Sequence, residues 1–441
     1  MSAAIKHDPY QSLRFRDYRL LLLGSCIASL GEQMLRLALG WQLYERTHSA
    51  FLLGMVGLVQ LFPALVLSLY AGQVADRFNR KRIVMMAQGV AAVAAMGLAA
   101  LSYWRGPLLL IYGCLLLMGI AVAFHTPAAM TLPAQILPEE AFENAAMWSS
   151  SSWQLATVVG PALGGLVIAV LHSTTFVYVL NAVAALVFAA LLLPIKARTS
   201  SLSERREAEG PTTGHQLREG MSFLQRTPII LAAMTLDLFA VLFGGATTLL
   251  PMFAKDILQV GPQGLGWLSA APAIGALVVA FLLAHRPPFQ RAGPTLLLAV
   301  AGFGVATIMF ALSRSFWLSL LMLFMLGGLD NISVVIRATL ALTRTPDTMR
   351  GRVAALNGLF VNASGQLGGF ESGLTAQLFG TTVSVAAGGV GTILVVLAVA
   401  LLCPQLRRLR ALREVEESLA QVPAGPTDSA TSSEAVANRE F

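Results

Sequence analysis

Twelve apolar runs, each about as long as a helix that crosses a lipid bilayer, follow one another along this chain. A transmembrane helix needs about 20 mainly apolar residues, and only helices and closed barrels satisfy their backbone polar groups inside hydrocarbon. The sequence therefore predicts an all-α integral membrane protein with twelve transmembrane helices. The runs cover residues 20–44, 52–74, 83–103, 107–130, 143–171, 174–194, 228–254, 264–284, 294–313, 316–343, 352–379 and 382–402.

The composition excludes an ordinary soluble protein. Hydrophobic residues make up 56% of the 441 residues and charged residues 12%, whereas soluble domains are about 45–50% apolar and about 25% charged. The net charge of +7 does not indicate a nucleic-acid partner, because the basic residues stand in short segments between the apolar runs. Membrane lipid is the partner that this composition predicts.

Several kinds of chemistry are missing from the sequence. Cys26, Cys114 and Cys403 stand singly inside apolar runs, without the spacing of a disulfide framework or a metal site. The chain has no phosphate-binding G-x-x-x-x-G-K-[ST] motif and no nucleophile elbow, which argues against ATP-driven pumping and against an enzyme. We therefore expect no metal, no cofactor and no catalytic residues.

The longest polar stretch between the runs divides the chain into two halves. Residues 196–226, which hold Ser, Glu, Arg, Gly and Pro, are expected to form a cytoplasmic linker. The linker joins an N-terminal six-helix bundle (1–195) to a C-terminal six-helix bundle (227–403). The segment 404–441 is rich in Ala, Ser, Glu and Pro, and is expected to be a disordered cytoplasmic tail.

The two halves are related in sequence. Glycines and a proline in and between the fourth and fifth runs recur 208 positions later, in and between the tenth and eleventh runs. Coincidence is the alternative in a chain with 39 glycines, but matches in one register favour two pseudo-symmetric bundles. The matched pairs are Gly119 with Gly327, Pro138 with Pro346, Gly160 with Gly368, and Gly165 with Gly373.

Positive charges orient the helices. Lys and Arg concentrate on the cytoplasmic side of membrane proteins, and most of the 30 in this chain lie on one side when the runs alternate in direction. The opposite side keeps few, among them Arg46, Arg105, Lys255 and Arg314. Both termini are therefore expected in the cytoplasm. The Arg- and Ala-rich composition and the short loops favour a multi-pass protein of the bacterial cytoplasmic (inner) membrane.

The turn between the second and third runs carries a specific pattern. The segment Gly72–Arg82 ends one helix with small residues and then places one aspartate and four cations at a membrane face. Asp76 is expected to cap the next helix, whose dipole favours an anion at its N-terminus. Asn79 is of a residue type that tolerates a left-handed backbone conformation. A generic positively charged loop would need only the cations.

This segment resembles the signature loop of the major facilitator superfamily, G-x-x-x-D-R-x-G-R-[RK], with Asn79 where glycine is usual. The resemblance implies a monomeric secondary transporter that works by alternating access, with substrate bound at mid-membrane between two bundles. Helices 1, 4, 7 and 10 of that fold line the cavity. The resemblance also implies that Gly72, Asp76, Arg77 and Arg80 take part in gating.

The fifth run contains Gly160-Pro161-Ala162-Leu163-Gly164-Gly165, which is similar to the G-P-x-x-G-G element of exporters in this superfamily. Proline and paired glycines let a helix bend and pack closely. Gly160, Pro161, Gly164 and Gly165 are therefore expected to seal a leak path and to take part in gating. Leu115 stands where drug antiporters of the superfamily often carry an arginine, so a mechanism built on that arginine does not apply.

Two further segments resemble one branch of this superfamily. The segment Asp237–Ala246 and the segment from Arg350 to Gly373 look like those of the branch that contains enterobactin exporters and macrolide-efflux proteins. The resemblance to the superfamily covers about the whole membrane portion of the chain, whereas the branch rests on these shorter stretches.

Ionisable residues inside the apolar runs mark the expected site. Each costs about 2.5–3.5 kcal/mol on insertion scales and is retained mainly where it faces a cavity or a partner. Three of these residues are acids in the first, seventh and tenth runs. We expect each of them to couple transport to protons or to another ion: Glu32, Asp237 and Asp330. The substrate cavity is expected to contain Gln33, Arg36, Trp41, Asn331, Arg337 and Glu371.

Two interpretations of the first-run pair stay open. Glu32 and Arg36, one helical turn apart, form either a static salt bridge or a functional pair in which Glu32 exchanges a proton. Glu32 is expected to face Asp237 across the cleft. Asp330 and Arg337 are two turns apart, about 10 Å along the helix axis, and are expected to pair with other helices.

Proton-coupled export of a small amphipathic or cationic molecule, of the drug or siderophore class, is the leading functional hypothesis. A lipid or lysolipid flippase, or an importer of the same fold, is the first alternative, and a substrate panel measured in both directions separates them. A non-transporting membrane receptor or scaffold is the alternative from a different class. The intact turn Gly72–Arg82 and the retained charges argue against this last alternative.

Overall fold

The computed structural model describes residues 8–196, 213–287, 289–407 and 409. Within these ranges the chain is almost entirely helical and contains no β-strand. The prediction of an all-α protein is therefore confirmed. The twelve long helices are α1 (Arg16–Thr47), α2 (Ala50–Arg77), α3 (Arg80–Tyr103), α4 (Leu108–Thr131), α5 (Phe142–Leu171), α6 (Thr175–Leu192), α7 (Pro228–Phe243), α8 (Gly261–Ala284), α9 (Ala292–Leu312), α10 (Phe316–Arg344), α11 (Asp347–Phe379) and α12 (Thr381–Leu402).

Eleven helices of the described chain are long and apolar enough to cross a membrane. Helix α11, the eleventh predicted span, is long enough at 33 residues, but its described residues do not include a stretch that is apolar enough to count among the eleven. Its sequence includes Arg352, Asn357, Asn362 and Glu371. A helix of this kind avoids exposing its polar side chains to hydrocarbon only if they face protein or a water-filled cavity.

The packing of the helices repeats after six. In the N-terminal half, α1 packs against α5 and α6, α2 against α4, and α3 against α4 and α6. In the C-terminal half, α7 packs against α11 and α12, α8 against α10, and α9 against α10 and α12. Each contact in the first half therefore has its counterpart in the second, as two pseudo-symmetric six-helix bundles require.

The glycines that matched in the sequence sit at equivalent contacts. A Cβ atom on Gly119 of α4 would lie 3.1 Å from Pro63 of α2, and Gly327 of α10 likewise packs directly on Pro272 of α8. Small residues allow helix backbones to approach closely, which is the main source of helix association where lipid is as apolar as the side chains. The repeat predicted from the register of glycines thus corresponds to a repeated packing contact.

The two bundles meet where α5 crosses α8 and where α2 crosses α11. A Cβ atom on Gly165 would lie 3.0 Å from the Cα of Gly266, and one on Gly373 would lie 2.8 Å from the Cα of Gly54. Both crossings lie near the end of the bundles that is opposite the α2–α3 turn and the linker. We call the end with the turn and the linker the linker end.

The α2–α3 turn differs from the prediction in one respect. Asn79 has φ −63° and ψ 111°, an extended conformation rather than a left-handed one. Its side chain accepts a hydrogen bond from the backbone N–H of Arg82 at 3.4 Å and so caps α3. The predicted cap, Asp76, lies in the last turn of α2, and its side chain lies outside the described part of the structure. Asparagine is among the preferred N-cap residues, which explains why it stands here in place of glycine.

Basic residues of this turn bind carbonyl groups at helix ends. The Arg80 side chain donates from Nε to the carbonyl of Ala75 at 3.3 Å. Lys81 donates from Nζ to the carbonyls of Leu193 and Ile195 at 2.7 and 2.9 Å, at the end of α6. Arg77 is exposed, and the space around Gly72 is open. The gating roles predicted for Gly72, Asp76, Arg77 and Arg80 stay predictions.

The linker and the tail are partly helical. Residues Thr213–Arg226, the second half of the predicted linker, form a helix that packs against α7 and α11, with Leu224 fully buried. Residues 197–212 lie outside the described chain. The predicted tail starts with a short helix, Pro404–Arg407, and Leu409 is only 7% exposed, so its first residues are folded against α9. The rest of the tail predicted to be disordered lies beyond the described residues.

Replacing Gly373 with valine is expected to lower the free energy of unfolding, because the new side chain would overlap the backbone of α2. Overpacking of this kind costs about 1–3 kcal/mol. Gly113→Val in α4 is the matched control, since no atom lies within 4 Å of a Cβ placed on Gly113. Thermal unfolding of the purified variants in detergent measures the difference. Equal midpoints for Gly373→Val and Gly113→Val would contradict the assigned contact.

Candidate functional site

A cavity of about 480 Å³ lies between α7, α10 and α11. It runs from the middle of these helices to the linker end, and its walls are mainly apolar. The described residues that line it all belong to the C-terminal half, and we call it the C-terminal cavity. Its polar side chains come from Asp237, Asp330, Arg337, Thr345, Arg350, Asn357 and Asn362.

An ion pair joins α7 to α10 in the wall of this cavity. The Arg337 guanidinium contacts the Asp237 carboxylate, and the two side chains are only 11% and 7% exposed. The same guanidinium donates from Nε to the carbonyl of Ser333 at 3.2 Å. The pair neutralises two charges that would be costly alone at this depth, because removing one partner of a buried pair leaves an uncompensated charge. The expectation that Arg337 pairs with another helix matches this contact.

Asp330 is placed differently from Asp237. It lines the C-terminal cavity and also a small adjoining pocket that contains Asp237, Phe303 and Ser333. The hydrogen bonds and ion pairs of the described residues do not include Asp330. Arg337 is two turns away on the same helix and is already paired with Asp237. Asp330 is therefore a carboxylate that faces the cavity without a fixed counter-ion.

The first-helix pair is separate from this cavity. Glu32 and Arg36 form a salt bridge at 2.6 Å, with side chains 46% and 58% exposed. The two residues do not line the C-terminal cavity. His125 of α4 is the further titratable group that acts electrostatically on Glu32. The geometry fits the static interpretation of this pair, although it leaves the carboxylate accessible, and the expected apposition of Glu32 to Asp237 is not seen in the cavity wall.

Besides Arg36, four other residues predicted for the substrate cavity do not line the described one. Gln33 donates to Thr157 of α5 at 3.2 Å, Trp41 is 8% exposed in the core, and Glu371 lies beside Ser372 on the far half of α11. Asn331 is next to Asp330, but its buried Oδ1 has no hydrogen-bond partner in the described structure. The side chain of a helical residue points in a direction set by its position around the helix. These four side chains therefore do not line the C-terminal cavity, although Asn331 is next in sequence to Asp330, which does.

Cavity residues that sequence reasoning missed lie mainly on α11. Asn357 and Asn362 line the C-terminal cavity, as do Arg350 near the start of α11 and Thr345 just before it. A signal was present, because amides and arginines inside a membrane-length segment indicate a polar face. Arg350 supports the family resemblance in the sequence and is not among the residues predicted for the cavity.

The G-P-x-x-G-G element joins α5 to two other helices. A Cβ atom on Gly160 would lie 2.6 Å from the Cβ of Gln33, and one on Gly164 would lie 3.1 Å from the Cα of Met34, both in α1. Gly165 instead faces α8 of the other bundle, and the Pro161 carbonyl would lie 2.7 Å from a Cβ on Gly266. One short element thus contacts both its own bundle and the opposite one. Its predicted role in gating stays a prediction.

Comparisons with known proteins agree with this architecture. A family model described as Major Facilitator Superfamily matches residues 21–369. Macrolide efflux protein A of Streptococcus pyogenes is 23% identical over 411 residues, which cover 92% of this chain and 99% of that protein. Enterobactin exporter EntS of Shigella boydii is 25% identical over 89% of this chain and 93% of its own length. Multidrug efflux pump Tap of Mycolicibacterium fortuitum is 26% identical over 88% and 96%.

Solved structures share the fold. A bacterial homologue of the human lysosomal transporter Spinster, in an inward-facing and occupied conformation, superposes with a TM-score of 0.70 at 13% identity. The match covers 90% of this chain and 97% of that one. The nucleoside transporter NupG gives a TM-score of 0.66 at 13% identity, covering 87% and 98%. At these identities the likeness concerns the fold alone.

Replacing Arg337 with glutamine is expected to destabilise the protein strongly, because Asp237 would be left as an unpaired buried charge. Breaking a buried pair in this way costs about 3–5 kcal/mol. The double variant Asp237→Asn/Arg337→Gln is expected to recover most of the loss, since it removes both charges.

Arg36→Gln is the control for this prediction, because its partner Glu32 is half exposed and can be solvated; exposed pairs contribute about 0–1 kcal/mol. Thermal unfolding of the three variants and the wild type measures the differences. A loss for Arg337→Gln no larger than for Arg36→Gln would show that the α7–α10 pair is not desolvated.

Proposed function

The chain belongs to the major facilitator superfamily, and on that premise we propose that it exports a small amphipathic or cationic molecule in exchange for protons. As a member it is a multi-pass membrane protein and a secondary transporter with a small-molecule substrate. The proposal adds the direction of transport, the coupling ion, the class of substrate and the side of the membrane on which the termini lie.

The observation that carries the proposal is the position of Asp330. Asp330 lines a cavity that extends to residues at the linker end, whereas the two glycine crossings between the bundles lie toward the opposite end. A carboxylate without a fixed counter-ion in the middle of a membrane protein is costly unless it takes up a proton or meets a cation. Asp330 can therefore bind either a proton or the positive group of a substrate, one at a time.

Coupling follows from this competition. When the cavity opens to one side, a substrate cation displaces the proton from Asp330; when it opens to the other side, a proton displaces the substrate. The Asp237–Arg337 pair beside Asp330 is internally neutral, so the net charge of the site depends on what Asp330 holds. Separation of the bundles at the α5–α8 and α2–α11 crossings, together with their approach at the linker end, would alternate the opening.

The cavity supports the substrate class. A volume of about 480 Å³ lies within the about 300–1,000 Å³ of small-molecule sites, which combine apolar walls with a few polar groups. The apolar walls favour an amphipathic molecule, and Asp330 favours a positive group on it. Asn357 and Asn362 supply amide groups for hydrogen bonds. The relatives named for efflux of macrolides, of enterobactin and of several drugs support export of molecules of this general size.

The membrane orientation rests on charge. The positive-inside rule places the Arg- and Lys-rich linker end, with both termini, in the cytoplasm of a bacterial cell. In that orientation the C-terminal cavity extends toward the cytoplasm, the side from which an exporter collects its substrate.

Asp330→Asn is expected to abolish flux that is driven by a pH gradient, because an amide cannot exchange the proton. We expect gradient-driven flux of a lipophilic cation such as ethidium to fall at least about tenfold in proteoliposomes, as for other essential acids. Glu32→Gln is the matched control for the first-helix acid and is expected to retain coupled flux. A macrolide and a catecholate siderophore complete the substrate panel, measured in both directions.

The outcomes separate the alternatives. Gradient-driven flux of wild-type size in Asp330→Asn would remove the assigned coupling role. Loss of gradient-driven flux in Glu32→Gln and not in Asp330→Asn would assign proton coupling to Glu32 of the first helix. Flux only into the cytoplasmic side would make the protein an importer.

A further inference from the structure

The end of α1 and the segment between α7 and α8 are joined across the two bundles by polar contacts. Tyr44 donates a hydrogen bond to the Asp256 carboxylate. The Lys255 ammonium lies 5.9 Å from the centre of the Trp41 ring, a cation–π distance. Tyr44 and Trp41 are three residues apart on one face of α1, and both are buried, with 3% and 8% exposure. Two residues on one face of α1 thus contact two consecutive residues of the other bundle.

A turn of π-helix places the two charged residues. Residues Phe253–Ile257 form this turn, in which the Leu258 N–H donates to the Phe253 carbonyl at 2.8 Å. Single π-helical turns are rare and occur frequently at functional positions. Gly40 allows the close approach of α1, since a Cβ atom there would lie 3.2 Å from Pro251.

A second set of contacts joins α2 to α11 at the same end. The Ser49 hydroxyl donates to the Gln377 side-chain oxygen at 3.1 Å, and the Phe51 N–H points to the same oxygen at 3.5 Å. The rings of Phe51 and Phe370 lie edge to face with centres 5.9 Å apart. All of these contacts join the N-terminal bundle to the C-terminal bundle, and all lie at the end opposite the linker.

We propose that Tyr44, Asp256, Trp41 and Lys255 form a clasp that holds this end closed and opens whenever the bundles part here. The contacts exist only while the two tips meet, so their free energy adds to the closed state and not to the open one. The glycine crossings bring the helices together by van der Waals packing, which is not directional. The clasp supplies a specific polar connection between the bundles at the water-facing tips.

The inference concerns the balance between two conformations and holds whatever substrate or ion the protein carries. Asp256 is exposed on its other side, so its carboxylate is solvated after the tips part, and opening leaves no buried unpaired charge. Such a contact raises the population of the conformation that is closed at this end and still allows the bundles to part.

The experiment measures distances between spin labels by double electron–electron resonance, in the full chain in nanodiscs with Cys26, Cys114 and Cys403 replaced by alanine. Labels on Leu171→Cys and Gln263→Cys report the end opposite the linker, at the tips of α5 and α8. Labels on Phe78→Cys and Arg286→Cys report the linker end. All four positions are exposed.

Tyr44→Phe and Asp256→Ala are each expected to raise the long-distance population at the Leu171–Gln263 pair about threefold to tenfold, the size expected for a hydrogen bond to a charged group. The distances at the Phe78–Arg286 pair are expected to shorten in parallel. The double variant is expected to show no more than the larger single effect, since both changes remove one bond. Lys255→Met is expected to add to the effect of Tyr44→Phe, because it removes a different contact.

Tyr178→Phe is the matched control. This buried tyrosine donates to Gln42 at 2.5 Å inside the N-terminal bundle, so its hydroxyl is lost without touching the boundary between bundles. Distance distributions unchanged from wild type in Tyr44→Phe, Asp256→Ala and Lys255→Met would overturn the proposal. So would an equal shift in Tyr178→Phe. If Tyr44→Phe or Asp256→Ala fails to fold, Lys255→Met alone decides, because it leaves the tyrosine hydrogen bond in place.

Discussion

Close approach of helix backbones at glycine is the constraint on which the rest of this structure depends. Lipid tails are as apolar as leucine, so helices in a bilayer are not driven together by the hydrophobic effect alone and need tight van der Waals contact. Gly119 and Gly327 provide that contact inside the bundles, and Gly165, Gly266, Gly54 and Gly373 provide it between them. Both crossings between bundles lie toward one end, and the C-terminal cavity lies toward the other, between α7, α10 and α11.

The cavity then determines where charge is tolerated. Asp237 and Arg337 form an ion pair across α7 and α10, and Asn357 and Asn362 of α11 line the same cavity. Asp330 is the carboxylate of this wall that the described contacts leave without a counter-ion. A helix as polar as α11 is therefore compatible with a membrane position because it lines a cavity on one face.

The bilayer made most of the fold predictable from sequence. Hydropathy located the helices, since the thickness of hydrocarbon fixes their length, and the register of Gly160 with Gly368 indicated the repeat. The cap at Asn79 was open to prediction, because asparagine is a preferred N-cap residue. The pairing of Arg337 with Asp237 was not, because it depends on the rotation of two helices that are 100 positions apart in the chain. The side-chain directions of Gln33 and Trp41 depend on helix rotation in the same way, whereas the amides of α11 are a signal that the sequence itself carries.

Proton release on substrate binding tests the central claim most directly, since it needs neither a membrane gradient nor a transport assay. The purified protein is titrated in weakly buffered detergent solution with whichever cation of the panel raises its thermal stability, and the pH change is recorded. The account predicts that wild-type protein releases up to about one proton per ligand bound and that Asp330→Asn releases none. Release of the same number of protons by Asp330→Asn would contradict it.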